Sequence, residues 1–577
     1  MIDEEKNKVM KIYRHWLLIV LFLSLVAFPL AGCGIGATPA GKQLDATKPP
    51  ELTKSPLADK QTLTTSKGSE PNTIDPQKAS WAEEITTIMR VFENLLTFDT
   101  KGNLVPATAE KYTISPDGKV YTFTLRKGLK YSDGQPLTAK NFEYGWKRHL
   151  DPAVAGGYAL TGYEIVGAEE YNTADPKKLS KEEMQKLQDA VGVKALDDLT
   201  LQITLKNPAC YFLSVLATWC GVPSRQDMVE KGGEKWTEPA TYIGNGPFIL
   251  KTWDHQVKLV YVPNPNYRLG APTIQQWTEV MINDATEALT AYRNNELDVL
   301  DIGSGELSVV QTDPQLAREY VEQPGTCTSY LGFNTTLKPL DNMKVRQAIA
   351  QAIDREAFVK NVQQGLGIPA YQLLPPGFPG YYPDLQVWKL DPAAAKKTLA
   401  EAGYPDGKGL PEIKFTFSSS SRAQSRAEFF QQQLKTNLGI PLKLDPVEAK
   451  AYTAMLQKLE TTPQMFFLGW CQDYPDPQDW YSTLYKSTST IGHTGWKNDE
   501  FDKLCQEADV IAGCDKTKRD ELYKKAAQVL VTEAPHINIM YTVNSFLVKP
   551  WVVGWTSTPM EQYFSQATIM DVKILKH

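Results

Sequence analysis

Three aspartates stand three residues apart in the stretch GWCQDYPDPQD, as Asp473, Asp476 and Asp479. Such carboxylates can bind an ammonium group or a metal ion, or they can form turns beside proline. Their spacing does not follow the alternation of a calcium-binding loop, which disfavours calcium. Taken alone, these residues favour turn aspartates, and Trp470 fits a core aromatic as well as a ligand contact.

The rest of the sequence gives little support for catalysis or for a bound metal or cofactor. It has no GxSxG or HExxH pattern, and its histidines are not spaced as metal ligands. None of the seven cysteines lies in a CxxC pair. We therefore expect a protein that is not an enzyme, and a secreted enzyme is the more distant alternative.

The first 32 residues predict an export signal. Basic residues from Lys6 to Arg14 precede an uncharged run from Trp16 to Gly32, which is shorter than the roughly 20 apolar residues of a membrane span. The run ends in LAGC, which resembles the lipobox of bacterial lipoproteins. We expect Cys33 to carry the lipid and to anchor an extracytoplasmic protein, whereas an ordinary signal peptide with a chance cysteine is the alternative.

Residues 33–59 predict a flexible tether, because they are rich in small residues, proline and lysine. They contain GATPAGKQ, which lacks the Ser or Thr that a phosphate-binding loop needs. The net charge of −6 without a basic block argues against nucleic acid as a partner. A chain of 577 residues exceeds the size of a single core, so we expect several domains with clefts between them.

Helices and strands alternate along the body without a strict βαβ order. Residues 112–126 predict a hairpin, and Thr138 predicts the N-cap of an aromatic-rich helix. The clearest helix is expected from an N-cap at Asp341 to Gly365. The tail 537–555 predicts strands that return to an earlier sheet. These patterns indicate a mixed α/β (α+β) fold.

Several ordered segments resemble the peptide- and nickel-binding solute-binding proteins of ABC importers, known as family 5, cluster C. They cover nearly the whole body and include KQTLTTSKGSEPNTIDPQKAS, LRKGLKYSDGQPLTAKNFEYGWKRHLDP, GEKWTEPATYIGNGPFILKTW, DNMKVRQAIAQAIDREAF and FLVKPWVVGW. The resemblance implies a monomer of the two-lobed, type II periplasmic-binding-protein-like fold with an extra domain. It would enclose an oligopeptide and deliver it to the importer's permease. A dipeptide, nickel complex, haem or oligosaccharide remains the alternative cargo.

Matching segments imply three domains after the tether. The first domain combines three separate parts of the chain, and the third domain forms the opposite lobe. The implied ranges are 60–97, 222–326 and 543–577 for domain I, 98–221 for domain II and 327–542 for domain III.

The resemblance also implies the residues that contact the ligand. A peptide offers an ammonium, a carboxylate and backbone groups, all of which need partners once water is excluded. In the family, the Asp that matches Asp473 takes the ammonium, and the strand residues that match Gly469, Trp470 and Cys471 pair with the peptide backbone. The other implied contacts are Ser80, Trp81 and Ala82 on a facing strand, and the aromatic residue Tyr158.

Two expected ligand contacts are missing. Where relatives place a basic residue near the ligand's carboxylate, the sequence has Phe467, and Ser80 replaces an acidic residue. Arg422 and Arg426 are the nearest basic candidates, although a solvated helix face would also explain them.

Disulfides are possible outside the cytoplasm, and the residues alone do not choose among the pairings. The resemblance implies the pair Cys327–Cys471. The remaining cysteines could then form two local bridges, Cys210–Cys220 and Cys505–Cys514.

Overall fold

The computed structural model describes residues 55–385, 387–511, 514–555 and 569–577. The predicted signal peptide, Cys33 and most of the predicted tether lie outside these residues. The end of the tether prediction is wrong, because residues 55–59 are held by the C-terminal segment. Leu57 forms a β-bridge with Leu575, and the Ala58 N–H donates to the Ile574 carbonyl at 2.8 Å.

Most strands belong to one of two sheets. In chain order the strands are β1 (Thr62–Lys67), β2 (Leu96–Phe98), β3 (Leu104–Pro106), β4 (Ala109–Ile114), β5 (Val120–Leu125), β6 (Val193–Ala195), β7 (Thr200–Thr204), β8 (Phe248–Asp254), β9 (Lys258–Pro263), β10 (Gln276–Met281), β11 (Val299–Asp301), β12 (Tyr320–Phe333), β13 (Ile368–Pro369), β14 (Ile413–Ser418), β15 (Leu442–Val447), β16 (Met465–Cys471), β17 (His536–Val548), β18 (Val552–Val553) and β19 (Lys573–Ile574).

The helices are distributed along the whole described chain. They are α1 (Ala82–Val91), α2 (Ala139–His149), α3 (Ala168–Asn172), α4 (Lys181–Ala190), α5 (Phe212–Val215), α6 (Gln226–Gly232), α7 (Ala285–Arg293), α8 (Ser304–Thr312), α9 (Leu316–Glu319), α10 (Met343–Ala352), α11 (Arg355–Ala357), α12 (Pro392–Glu401), α13 (Ser421–Leu438), α14 (Ala449–Leu456), α15 (Pro477–Trp480), α16 (Ser482–Tyr485), α17 (Asp499–Asp509) and α18 (Lys516–Glu533), with a π-helical turn at Phe358–Val362. None of these helices has the length and apolar composition needed to cross a membrane, as far as the described residues go.

The larger sheet has the order β15-β14-β16-β12-β17-β11-β1-β10-β9-β8, and β13 also pairs with β17. The long strands β12 and β17 run antiparallel, with a register shift between Pro324 and Thr328. On one side of the shift, β17 pairs with β11. On the other side, β12 pairs with β16 and β17 pairs with β13. The sheet therefore passes from one lobe of the mixed α/β fold to the other through these two strands. The predicted domain boundaries at 326/327 and 542/543 fall beside the shift, and the domain assignment itself stays a prediction.

Local signals account well for the smaller sheet, which has the order β4-β5-β7-β6. The predicted hairpin is confirmed, because β4 and β5 pair antiparallel and Tyr121, Phe123 and Leu125 alternate into the core. Thr138 precedes α2 as predicted, and its N–H donates to the Asn141 side chain at 2.9 Å. The β-rich tail also returns to an earlier sheet, as β17 in the larger sheet.

The single long helix predicted from Asp341 is wrong. Asn342 is the N-cap of α10, and the helix ends at Ile353, which has an extended backbone. The Asp354 carboxylate then accepts the Ala357 N–H at 2.9 Å and starts α11. The buried Arg355 guanidinium fixes this break by donating to the Asn538 carbonyl at 2.7 Å.

The structure contains the Cys327–Cys471 disulfide that the resemblance implies. The two local bridges are wrong, because Cys210 pairs with Cys514 across 304 residues of sequence. Cys220 and Cys505 are buried thiols. Cys505 is completely buried in α17, whereas tertiary packing brings Ile511 to Cys210, whose sulfur lies 4.0 Å from the Ile511 carbonyl oxygen.

Candidate functional site

Strand β16 presents a backbone edge that the described strands leave open. On one side it pairs with β12 from Met465 to Cys471. On the other side β14 meets it only where Phe415 lies opposite Met465. Gly469 is exposed, and a Cβ atom there would meet no atom closer than 3.5 Å. The Tyr452 hydroxyl occupies both backbone groups of Phe467, because it donates to the Phe467 carbonyl at 2.9 Å and accepts the Phe467 N–H at 3.2 Å. The edge can therefore accept a further extended chain from Gly469 onward.

Beyond the end of β16, Asp473 lies in an aromatic and acidic environment. Its side chain is buried, with 5% of the residue surface exposed. The Asp473 N–H donates to Asp479 Oδ2 at 3.1 Å, and the Trp470 indole N–H points to the same oxygen at 3.4 Å. The Tyr158 ring stacks parallel to Trp470 at 6.4 Å between centroids. The structure thus brings together three predicted site residues, Asp473, Trp470 and Tyr158.

Burial and negative charge perturb the titration of this cluster. Burial raises the pKa of the Asp479 carboxyl well above its usual range, and the Asp473 carboxylate raises it further. Burial likewise raises the pKa of Tyr158 far above that of a free tyrosine, with smaller contributions from Asp473 and Asp479. The cluster therefore favours a bound cation, because a cation would offset its negative charge.

A cavity of about 400 Å³ lies beside the disulfide end of β16. Within it, the buried Glu279 carboxylate forms an ion pair with Arg90 at 2.5 Å and a longer one with Lys67 at 3.8 Å. The Arg90 guanidinium also lies 4.0 Å from the centre of the Trp277 ring. The cavity is lined by Thr65, Lys67, Ala82, Glu83, Arg90, Trp277, Glu279, Asp301, Cys471, Asn544 and Phe546, among other residues.

The segment expected to form a facing strand is instead the start of a helix. Ser80 and Trp81 precede α1, and Ala82 is its first residue. The buried Glu84 carboxylate accepts both the Ser80 N–H at 2.9 Å and the Trp81 N–H at 3.1 Å. These two N–H groups are therefore committed to capping the helix. Ala82 alone of the three lines the cavity.

The two candidate arginines lie in the first turns of α13. The Arg426 guanidinium packs 4.8 Å from the centre of the Phe467 ring, so it lies beside the position where relatives have a basic residue. Burial lowers the pKa of Arg426 to about 10, which leaves it charged at neutral pH. Arg422 is exposed and lies 4.0 Å from Glu306, near α8.

Sequence reasoning missed Asp479 as a member of the cluster and missed the Arg90–Glu279–Lys67 network. The prolines on either side of Asp476 favoured a turn, so Asp479 was interpreted as a turn residue. Nothing in the neighbouring sequence predicts that Asp479 is buried. The network joins β1, α1 and β10, which no spacing pattern connects. Within the described ranges, no group of three or more His, Cys, Asp or Glu side chains is placed to hold a metal ion.

Comparison with known proteins agrees with the resemblance seen in the motifs. The profile of the bacterial extracellular solute-binding proteins, family 5 Middle, matches residues 103–491. The periplasmic oligopeptide-binding protein OppA of Salmonella typhimurium is 34% identical over 533 residues, which cover 90% of this chain and 94% of that protein.

Solved structures of related proteins match this chain over a similar share of its length. The murein tripeptide binding protein MppA of Escherichia coli matches with a TM-score of 0.80 at 29% identity, over 90% of this chain and 100% of that chain. OppA of Haemophilus influenzae, solved in complex with RPPGFSPFR, matches with a TM-score of 0.78 at 26% identity, over 90% and 100%. The chain therefore belongs to family 5 of the bacterial extracellular solute-binding proteins.

Proposed function

We propose that this protein captures short peptides between its two lobes and delivers them to the permease of an ABC importer. The observation that carries the proposal is the open edge of β16, which leads directly to the buried carboxylate of Asp473. An extended backbone and a terminal ammonium are the two features that every free peptide offers to such a surface.

The ammonium group of the peptide would bind Asp473. A charge-assisted hydrogen bond to a carboxylate is stronger than a neutral one, and more so where water is excluded. The Tyr158 and Trp470 rings provide that exclusion on one side of the cluster. Nickel complexes and oligosaccharides lack this ammonium, so the cluster supports a peptide cargo over them.

The peptide backbone would pair with β16 as an added strand, which is a common mode of peptide recognition. Gly469 favours this arrangement, because the absence of a side chain lets another backbone approach closely. Ligand side chains would then alternate between the lobes, and the cavity beside Cys471 and Ala82 can hold one of them.

The carboxylate of the peptide would bind Arg426. Its half-buried guanidinium forms no salt bridge within the described part of the chain, and its neighbour Arg422 adds positive charge. Phe467 lies four residues before the end of β16, or about 13 Å along an extended strand. The proposed partners of the two peptide termini are thus separated along the open edge.

We further propose that a lipid on Cys33 anchors the protein outside the cytoplasm and that the chain acts as a monomer without chemical conversion of the ligand. The tether would then run from Cys33 to the residues that pair with the C-terminal segment at Leu57. The predicted domains I, II and III retain the boundaries given above as part of this proposal.

The test is calorimetry of Asp473→Asn with peptides whose termini are free or blocked. Removing one partner of a desolvated ion pair should weaken binding of the free peptide about 100-fold, because the ammonium loses its counter-charge. N-acetylation should weaken binding to the wild type to a similar degree. Asp499→Asn, which makes the same change on an exposed helix, is the control and should bind normally.

Equal and tight binding of free and acetylated peptides would contradict the role of Asp473. Arg426→Gln should in turn reduce the preference for a free carboxylate over a C-terminal amide. Mass spectrometry of ligands that co-purify with the protein gives an independent check, since recovery of sugars or metal chelates in place of peptides would displace the proposal.

A further inference from the structure

Asp479 is a second carboxyl group directly beside Asp473. It lies in α15 and is completely buried, with 0% of its surface exposed. Its Oδ2 atom accepts the Asp473 N–H and lies within 3.4 Å of the Trp470 indole nitrogen. Its Oδ1 atom is buried and has no hydrogen-bond partner among the residues that the structure describes. One half of this carboxyl group is therefore unsatisfied.

Among the residues that the structure describes, no cation forms an ion pair with Asp479. Asp476, the N-cap of α15, binds the Arg519 guanidinium through two contacts of 2.8 Å. Asp479 itself forms no salt bridge with any lysine, arginine or histidine in the described part of the chain. A buried carboxylate without a counter-ion is strongly unfavourable, so burial favours the protonated form of Asp479.

We propose that Asp479 is the second carboxyl group of the amine site, and that it releases a proton to solvent when a cationic amine binds beside Asp473. The proposal rests on the proposed function. The ligand brings one positive charge, the acid loses one proton, and the new carboxylate and the ammonium neutralise each other. Asp479 also positions the site, because it holds the Asp473 backbone and the Trp470 ring.

The tyrosines, the thiol and the arginine that face the cluster keep their charge near neutral pH. Burial raises the pKa of Tyr158 and of Tyr474 well above that of a free tyrosine, and it raises the pKa of the Cys220 thiol to about 12. The Asp476 carboxylate holds the pKa of Arg519 above its ordinary value. The titration of Asp479 therefore dominates the response of the site.

The experiment is calorimetry of trialanine and pentaalanine binding at pH 6.0, in two buffers of different ionisation enthalpy. At this pH the peptide amine, with a pKa of about 8, is already protonated and does not contribute. The wild type should release close to one proton per bound peptide, and its affinity should rise from pH 5.5 to pH 7. Asp479→Asn should release none and should show a flat profile, since the amide oxygen can still accept both N–H groups.

The outcomes separate this inference from the proposed function. If Asp473→Asn weakens binding while wild type and Asp479→Asn release the same number of protons, Asp479 has only a structural role and the inference is wrong. If neither alanine peptide binds the wild type, the proposed function and the inference fail together. Even if Asp479→Asn does not fold, a wild type that releases no proton at pH 6.0 would contradict the inference.

Discussion

At the scale of single residues, the buried carboxylates differ in their counter-charges. Glu279 pairs with Arg90, and burial alone would raise its pKa, yet the pKa is lowered because Arg90 and Lys67 outweigh that effect. Asp509 is also buried, but its nearest cation is the Lys486 ammonium at 3.7 Å. Burial raises the pKa of Asp509 from 3.8 to about 6, although Tyr523 and Ser482 donate hydrogen bonds to it.

Asp509→Asn should change how stability depends on pH. The folded protein binds a proton at Asp509 more tightly than the unfolded chain does. The stabilisation of the folded state by this proton is therefore greatest below pH 4 and is lost as the pH rises through about 6. Between pH 4 and pH 7 the wild type should lose about 2 kcal/mol of unfolding free energy relative to the variant. Urea unfolding at both pH values measures this, and parallel pH profiles would contradict it.

At the scale of elements, β16 is held in place mainly by its ladder with β12 and by one disulfide. Cys327 and Cys471 lie directly opposite each other in the β12–β16 ladder. The bridge fixes the end of β16 that leads to Asp473, at the point where β12 shifts its register against β17. The disulfide thus fixes the proposed ligand-binding strand to β12, on the side opposite the proposed ligand.

The double variant Cys327→Ser, Cys471→Ser should be less stable and should bind peptide more weakly. The disulfide closes a segment of 144 residues, and the chain-entropy model gives about 5 kcal/mol for a loop of that size. Urea unfolding measures the loss of stability, and calorimetry measures the affinity. Unchanged affinity in the double variant would show that the strand does not depend on its own bridge.

At the scale of the whole molecule, Cys210–Cys514 adds a covalent link outside β12 and β17. The predicted domains place Cys210 in one lobe and Cys514 in the other. Next to the link, Tyr211 stacks parallel to Tyr474 at 6.3 Å, one residue from Asp473. Binding proteins with two lobes open and close about a hinge, so a link of this kind should limit how far the lobes separate.

The double variant Cys210→Ser, Cys514→Ser should exchange ligand faster. Without the link, the lobes can open more widely, and we expect the rate of peptide release to rise about tenfold. Stopped-flow measurement of tryptophan fluorescence during displacement by excess peptide gives this rate. Release rates equal to those of the wild type would show that the disulfide does not restrain the lobes.

Local patterns in the sequence predicted the features that depend on neighbouring residues. The alternation of Tyr121, Phe123 and Leu125 predicted a strand, and Thr138 predicted a helix start, because side-chain periodicity and capping are short-range effects. The break at Ile353 escaped prediction, since it depends on Arg355 reaching a carbonyl on β17. The helix capping by Glu84 likewise replaced the expected strand at Ser80.

By itself, the sequence determined the family, through ordered motifs such as GWCQDYPDP, and it placed Asp473, Trp470 and Tyr158 among the candidate ligand contacts. Only the tertiary structure decided what surrounds them. It paired Cys210 with Cys514, buried Asp479 with one carboxyl oxygen that has no hydrogen-bond partner among the described residues, and placed Arg426 over Phe467. The physical reason is that burial, charge compensation and disulfide pairing depend on distances between remote segments, which the packing of the lobes sets.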